Sequence, residues 1–305
     1  DYTGEVPAIL VEHDITFTLY DQLAQAGQGL PADRWLDFER EALQCSNAVW
    51  TMSEHDRAIA IAHGASRRTT AVVPNGVDLQ RFHPEQRQTT GPSVLFVGSF
   101  RHLPNLLAFE ALRQTVMPLV WKEFPDCRLS AIAGPEHEKA VRIARKLPLL
   151  AKDPRISIHG FVEDVRPAYR ECDTVAIPLP VSAGTNIKLI EAMACGRTVV
   201  STPVGCRGLD LNDGAEILIR DIGPAFAEAL VALLRDPQLR NAIAATARST
   251  AERRFGWDAI AESAWRSVLS VARLPFPGAS ASEYPAPRRS GDSAIRSTYE
   301  SEVRQ

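Results

Sequence analysis

Short apolar runs alternate with amphipathic stretches along most of this chain, and that alternation limits the folds open to it. Runs such as residues 93–97 and 198–201 have the length and composition of fully buried strands. A helix-length segment follows most of these runs, so successive strands need crossover connections and must be parallel. From residue 93 onward five or six such units follow one another, which predicts a complete doubly wound α/β domain.

The same pattern predicts the individual elements. Expected strands cover residues 6–11, 48–52, 93–97, 128–133, 156–162, 174–179, 198–201 and 216–219. Expected helices cover residues 33–46, 106–123, 137–147, 165–171, 185–196, 224–235, 237–254 and 257–271. Ser53 is a suitable N-cap for one further helix. The few strands that precede residue 93 predict the remnant of a second α/β domain.

Breaks in the pattern divide the chain into parts. A Pro-Asn-Gly turn at residues 74–76 ends a strand and leads into a polar, turn-rich stretch. We expect a first domain over residues 1–75, a linker over 76–92, the complete domain over 93–256, one further helix over 257–273 and a disordered, Pro-, Ser- and Arg-rich tail over 274–305. Because a strand follows almost at once after Asp1, we expect upstream sequence to be missing.

Composition excludes several classes of function. A net charge of −3 and a pI near 6.2 give no basic excess, so we expect no nucleic-acid partner. No apolar run approaches the roughly 18 residues of a membrane span, and no secretory signal is visible. The five cysteines are scattered without a Cys-x-x-Cys pair, which predicts a reduced, cytoplasmic protein. No cluster of Asp and His has metal-ligand spacing, so we expect no metal.

The stretch 181–200 has the signature of a loop, a helix and a buried strand. Thr185 is a suitable N-cap, and Gly196 is a suitable C′ residue. Ile187, Ile190 and Ala194 recur at helical spacing, which predicts the stripe that packs on the sheet.

Lys188 is electrostatically unusual. It falls in the first helical turn, where unpaired backbone N–H groups already carry partial positive charge. A bound anion would remove the conflict, with Gly184 allowing close approach and Glu191, one turn deeper, accepting hydrogen bonds from ligand hydroxyls. A solvated Lys–Glu pair explains the spacing equally well. The residues alone leave both interpretations open.

A second candidate site follows the first expected strand. Glu12, His13 and Asp14 stand at its carboxyl end, where open α/β sheets bind their ligands. An ordinary polar loop is compatible with the same spacing.

Three blocks of sequence resemble the signatures of one family. They are Pro74-Asn-Gly-Val-Asp78 with Phe82 and Pro84, Phe96-Val-Gly98, and Gly184-Thr-Asn-Ile-Lys-Leu-Ile-Glu-Ala-Met-Ala-Cys-Gly196. In this order they resemble the GT-B, family-4-like retaining glycosyltransferases (glycosyl transferases group 1), over roughly residues 6–271. The resemblance implies two Rossmann-like domains facing across a cleft. The C-terminal domain would hold a nucleotide-sugar donor, and residues 1–75 would be the C-terminal part of the acceptor-side domain.

The resemblance also implies roles for residues of the donor site. Glu191 matches the carboxylate that binds the ribose hydroxyls, while Gly184, Thr185 and Asn186 match the backbone cradle of the diphosphate. Independently of the resemblance, the negative charge that gathers on a departing diphosphate makes Lys188 and the helix N-terminus our candidates for stabilising it.

Three further positions match the family. The segment Gly160, Phe161, Val162 resembles the one that packs against the base. Gly98 resembles the phosphate-side glycine of the first loop, and His13 resembles the first-domain histidine near the donor sugar, so His13 and Lys188 are the expected catalytic residues.

Two departures from the family pattern stand out. Many members carry a second glutamate where this chain has Ala183, so the contacts to the sugar itself are in doubt. The basic pair that follows the first-loop glycine is also incomplete. Ser99 holds its first position, and we expect Arg101 or His102 to substitute.

The expected function is therefore transfer of a sugar from a nucleoside-diphosphate donor to an acceptor hydroxyl, with the donor as substrate and no cofactor. The resemblance implies a saccharide or lipid-linked acceptor, which leaves room for peripheral membrane association at the inner face. Two alternatives stay open: a nucleotide-sugar 2-epimerase on the same scaffold, and a non-catalytic nucleotide-binding module if the chain is a fragment.

Overall fold

The computed structural model describes residues 7–25, 27, 32–87, 91–143 and 153–272. The expected tail 274–305 and the end of the expected helix 137–147 lie outside these residues.

The first part of the chain forms a small parallel sheet. Its strands, in spatial order, are β1 (Ile9–Glu12), β2 (Ala48–Thr51) and β3 (Thr70–Val72). The helices between and beside them are α1 (Thr16–Gln25), α2 (Ala32–Cys45) and α3 (Glu54–Ala62). Ser53 caps α3 as predicted, because its hydroxyl accepts a hydrogen bond from the Asp56 amide. Phe17, Leu43 and Val49 belong to a core separate from that of the second sheet.

The second sheet has six parallel strands. They are β4 (Ser93–Val97), β5 (Arg128–Ile132), β6 (Ile156–His159), β7 (Thr174–Ile177), β8 (Thr198–Ser201) and β9 (Leu218–Ile219). Their spatial order is β6-β5-β4-β7-β8-β9, so the chain builds outward from β4 and then returns to its other side at β7. This confirms the doubly wound α/β prediction and places the topological switch point between β4 and β7.

Eight helices accompany this sheet among the described residues. They are α4 (Leu103–Ala111), α5 (Met117–Glu123), α6 (His137–Ile143), α7 (Arg166–Glu171), α8 (Ile187–Ala194), α9 (Pro224–Arg235), α10 (Pro237–Arg254) and α11 (Trp257–Ala272). One large core joins strands and helices, with Phe96, Phe100 and Phe109 packed ring against ring at centroid distances of 5.1 to 6.4 Å.

The expected helix 106–123 differs from the prediction in two ways. It begins at Leu103, and a π-helical turn at Leu112–Val116 separates α4 from α5. Pro118 near the start of α5 has no N–H to donate, and its ring excludes a normal α-turn before it. The chain widens to a π-turn there and continues.

The last helix reaches the first sheet. The Trp50 indole nitrogen donates a hydrogen bond to the Ser267 hydroxyl at 2.9 Å, and the Trp257 ring lies against Gly76. Val77 also pairs with Gly256 in an isolated parallel bridge. The two sheets are therefore tied together by chain that follows the second domain.

None of the described helices combines the length and the apolar character needed to cross a membrane.

Phe226 on α9 has no solvent exposure, whereas Leu239 on α10 is 37% exposed. We expect Phe226→Ala to lower the free energy of unfolding by about 3–5 kcal/mol through lost burial and a residual cavity. The matched change Leu239→Ala should cost far less. Urea unfolding followed by circular dichroism measures both, and equal losses would contradict the assignment of Phe226 to the core.

Candidate functional site at the switch point

The carboxyl ends of β4 and β7 are neighbours, and the loops that leave them face each other across the switch point. The loop after β4 contains Gly98 and Arg101 and ends at α4. The loop after β7 contains Gly184 and Thr185 and ends at α8. Open α/β sheets bind ligands at this place, because a crevice opens where neighbouring crossovers run to opposite faces.

The prediction that Thr185 caps α8 is wrong. The N-cap is Asn186, and its side chain makes no capping hydrogen bond. Thr185 is engaged elsewhere, since its hydroxyl accepts a hydrogen bond from the Asn75 amide at 2.9 Å. The Asn186 amide instead donates to the carbonyl of Gly205 at 2.8 Å. The first-turn N–H groups of α8 are therefore left without a side-chain cap, as an anion-binding helix N-terminus requires.

The predicted apolar stripe of α8 is only partly correct. Ile190 and Ala194 are fully buried, but Ile187 is 46% exposed. Ile187 is the first residue of the helix and stands at its mouth, before the helix reaches the sheet. The end of the helix is as predicted, with Gly196 in the left-handed region at φ +64°.

Lys188 is held by a neighbour from the other side of the switch point. Its ammonium donates a hydrogen bond to the Asn105 side-chain oxygen at 2.6 Å and lies 6.0 Å from the centre of the Phe96 ring. Burial lowers the pKa of Lys188 to about 8, although Glu191 opposes the shift. A desolvated cation at the positive end of a helix is unfavourable by itself, so this site favours a bound anion.

Glu191 is fixed by a buried tyrosine that sequence reasoning missed. The Tyr169 hydroxyl donates to the Glu191 carboxylate at 2.9 Å and also lies 3.1 Å from the Lys188 carbonyl. Burial raises the pKa of Glu191, while Tyr169, Arg81 and Lys188 oppose that shift. Nothing in the spacing of Tyr169 marks it, because its contact depends on how α7 packs beside α8.

The predicted residues after β4 and β6 lie at the same edge of the sheet. Arg101 is exposed, and its backbone N–H lies 3.4 Å from the Ser99 hydroxyl. Phe161 is 70% exposed beside Gly160, and Val162 is half-buried. Their assignment to phosphate and base stays a prediction.

A cavity of about 280 Å³ lies between α7 and the sheet, lined in part by Val162, His159 and Ser130. It also reaches Ser93 and Val94 at the start of β4, so it opens on a face of the sheet and not at the switch point.

The first domain contacts the loop after β7 directly. A side chain at Gly184 would overlap the Asp14 carboxylate and the His13 carbonyl. Gln22 and Ser182 are also paired across the interface, with the Gln22 amide donating to the Ser182 carbonyl at 3.1 Å and the Ser182 N–H donating back at 3.3 Å. Of the predicted residues, His13, Gly184 and Thr185 therefore meet at the interface between the two sheets.

Carboxylates of the first domain gather near this contact. Burial, followed by repulsion from Glu39, raises the pKa of Glu12 to about 7. The pKa of Asp14 is raised by burial and by Asp56, while His13 and His102 oppose the shift. The two walls of the cleft thus differ in charge, with carboxylates on one side and Lys188 with the α8 N-terminus on the other.

The arrangement of sheets matches solved glycosyltransferase structures. Sucrose-phosphate synthase from Thermosynechococcus elongatus superposes with a TM-score of 0.71 at 21% identity, covering 86% of this chain and 68% of that one. Anabaena HepE in complex with UDP-glucose gives a TM-score of 0.68 at 18% identity, covering 87% and 72%. The chain therefore has the GT-B fold, as the resemblance implied.

Sequence comparison matches the second domain to a family. Residues 91–236 match the family model Glycosyl transferases group 1. A D-inositol 3-phosphate glycosyltransferase from Xylanimonas cellulosilytica is 31% identical over 283 residues, which are 83% of this chain and 64% of that protein. The six-stranded domain is thus a glycosyl transferases group 1 domain, and the chain spans about 64% of the length of this relative.

Gly184 offers a test of the contact between the domains. Its φ is +59°, and any side chain there would meet Asp14 and His13. Gly214 has a similar φ of +79° with nothing within 4 Å of an added Cβ. We expect both alanine variants to bear a left-handed backbone cost of about 1–2 kcal/mol, but only Gly184→Ala should part the domains. Hydrogen exchange of the Ser182 N–H should then accelerate in Gly184→Ala alone. Equal exchange in the two variants would contradict the contact.

Proposed function

We propose that this protein transfers a sugar from a nucleoside-diphosphate donor to an acceptor hydroxyl, and that the donor diphosphate binds at the N-terminus of α8. The observation that carries the proposal is the conjunction of an uncapped helix N-terminus with the partly desolvated ammonium of Lys188 at the switch point. The desolvated ammonium is unfavourable without an anion, the helix N-terminus is suited to bind one, and a diphosphate satisfies both.

The neighbouring groups fit the remaining parts of a donor. Glu191 can accept hydrogen bonds from ribose hydroxyls one helical turn deeper, with Tyr169 holding its carboxylate. The loops at Gly98 and at Gly160, Phe161 and Val162 flank the phosphate and base positions in this proposal. HepE, which shares the fold, is described in complex with UDP-glucose, and this supports testing uridine donors first.

The chemistry follows from where charge develops. As the glycosidic bond breaks, the departing diphosphate gains negative charge, and preorganised donors stabilise that charge without reorganising. We assign this role to Lys188 and the first-turn N–H groups of α8. His13 belongs to the first domain beside Gly184, and we assign it to the donor sugar side. Retention of configuration is the outcome expected from the family resemblance.

The acceptor side belongs to the first domain. The similarity to a D-inositol 3-phosphate glycosyltransferase supports a cyclitol phosphate as the first acceptor to assay, followed by saccharide and lipid-linked acceptors. A lipid-linked acceptor would bring a cytoplasmic reaction to the inner face of the membrane. Product analysis with donor and acceptor tests transfer, and donor alone tests 2-epimerisation. Binding of UDP, GDP or ADP without either product would support a binding module.

Replacing Lys188 should weaken both donor binding and the stabilisation of the leaving diphosphate. We expect Lys188→Ala to lower kcat/KM for sugar transfer by about 100- to 1000-fold, the usual cost of losing one preorganised donor at a developing anion. Lys122 is exposed on α5, and Lys122→Ala is the matched control that should retain full activity. Initial-rate kinetics measure both. An unchanged kcat/KM in Lys188→Ala would overturn the assignment.

Diphosphate affinity should depend on pH through Lys188. Its pKa in the free protein is lowered to about 8, and a bound diphosphate would raise it because the charged form is favoured beside an anion. The contribution of Lys188 to affinity is therefore fully present below pH 8. It is lost above pH 8 by up to about tenfold per pH unit, until the pH reaches the pKa of the complex. Calorimetric titration from pH 7 to 10 measures the profile. Lys188→Arg should remove this alkaline limb because arginine stays charged.

A further inference from the structure

Asn105 connects the two sides of the switch point. It stands in the first turn of α4, after β4, and its side-chain oxygen receives the Lys188 ammonium from α8, after β7. Neither the sequence pattern nor the family resemblance singled out this residue. The family's basic pair is incomplete in this loop, where Ser99 holds the first basic position. Asn105 follows Ser99 by six residues and donates a hydrogen bond to its carbonyl.

The orientation of the Asn105 amide is determined by its partners. Its nitrogen donates to the Ser99 carbonyl at 3.1 Å, and its oxygen accepts from Lys188 at 2.6 Å. If the amide were rotated by half a turn, its NH₂ group would face the Lys188 ammonium and its oxygen would face the Ser99 carbonyl oxygen. An ammonium has only donors and a backbone carbonyl only accepts, so one orientation satisfies both neighbours.

Gly98 makes room for this side chain. A Cβ at Gly98 would lie 2.7 Å from Asn105 Cγ and 2.8 Å from its oxygen. The Asn105 backbone is held as well, since its N–H donates to the His102 carbonyl at 3.0 Å. Gly98 is thus required for the close packing of the first loop against Asn105. This requirement is independent of whether a phosphate approaches Gly98.

The groups around Lys188 explain why a neutral partner matters. Asn105 on α4 and Phe96 on β4 are uncharged, and Glu191 lies on the same helix. Across the cleft, Asp14 and His13 stand against Gly184, and Arg81 acts on Glu191. An amide oxygen holds the ammonium without neutralising it, whereas a carboxylate would cancel the charge offered to a diphosphate.

We propose that Asn105 is a positioning residue, which holds the Lys188 ammonium in the switch-point crevice so that a single lysine serves the leaving diphosphate. The proposal rests on the proposed donor site. In the bound state the ammonium has two further hydrogens to donate to phosphate oxygens while it keeps its bond to Asn105.

A double-mutant cycle on the intact protein tests this role. The variants are Asn105→Leu, Lys188→Met and their combination, and the readouts are the Kd of whichever of UDP, GDP and ADP the unmodified protein binds and kcat/KM for transfer. We expect Asn105→Leu to weaken binding by about 10- to 100-fold when Lys188 is present, as for loss of a hydrogen bond to a charged group. In the Lys188→Met background it should change Kd less than about twofold. Asn241→Leu, on the exposed side of α10, is the matched control.

A second variant, which keeps the size of the Asn105 side chain, distinguishes an effect on the Lys188 ammonium from a general packing or folding defect. Asn105→Asp keeps the shape but adds a carboxylate, which should raise the pKa of Lys188 and move the alkaline limb of the Kd profile upward by about one pH unit or more. Equal losses from Asn105→Leu in both backgrounds, or an unmoved limb in Asn105→Asp, would overturn the role of Asn105 while leaving the donor site intact. Failure of the unmodified protein to bind any of the three nucleotides would instead refute the proposed function, and this proposal with it.

Discussion

The conflict between Lys188 and the helix that carries it organises the candidate site. A cation in the first turn of α8 adds to the positive end of the helix dipole, and burial makes the charged form still less favourable. Two features accommodate the ammonium: the Asn105 side-chain oxygen accepts a hydrogen bond from it, and Glu191 supplies negative charge one turn away. The helix N-terminus has no side-chain cap and so adds to the positive charge of the site. This arrangement favours the binding of an anion, and the sheet topology places it in the crevice at the switch point.

The fold could be predicted well because its signal is local. Strands of a parallel sheet are covered on both faces, so Ser93–Val97 and Thr198–Ser201 carry adjacent apolar residues without polar alternation, and their bounds match the prediction. Helices α9 and α10 also have the predicted bounds, and each begins at a proline, which is favoured in the first helical position. Where local rules compete, prediction failed. The apolar pattern predicted one continuous helix, but Pro118 is preceded by a π-helical turn. Ile187 has the spacing of a buried stripe, but it is exposed because it is the first residue of its helix.

Only those residues of the candidate site whose own positions in the sequence are unusual could be predicted. Lys188 and Glu191 could be found because their positions on one helix create an electrostatic problem that is visible in sequence. Asn105 lies 83 residues from its partner Lys188, and Tyr169 lies 22 residues from its partner Glu191. No sequence pattern distinguishes an asparagine or tyrosine that makes such a hydrogen bond from one that does not. The assignment of Thr185 failed for the same reason, since a partner 110 residues away, Asn75, takes the hydroxyl that local rules give to the helix cap.

Charge divides the work between the two walls of the cleft. The first domain contributes Glu12 and Asp14, whose pKa values are raised by burial and by other carboxylates; neither group attracts a diphosphate. The α8 wall attracts one through Lys188 and uncapped N–H groups. In the proposed donor site the diphosphate therefore lies on the second domain, and the sugar faces the first. Carboxyl groups exchange hydrogen bonds with hydroxyls, so Glu12 and Asp14 are suited to a sugar in this proposal. Ala183 has no polar side-chain atom, so in the proposed donor site polar contacts to the sugar come from the first domain.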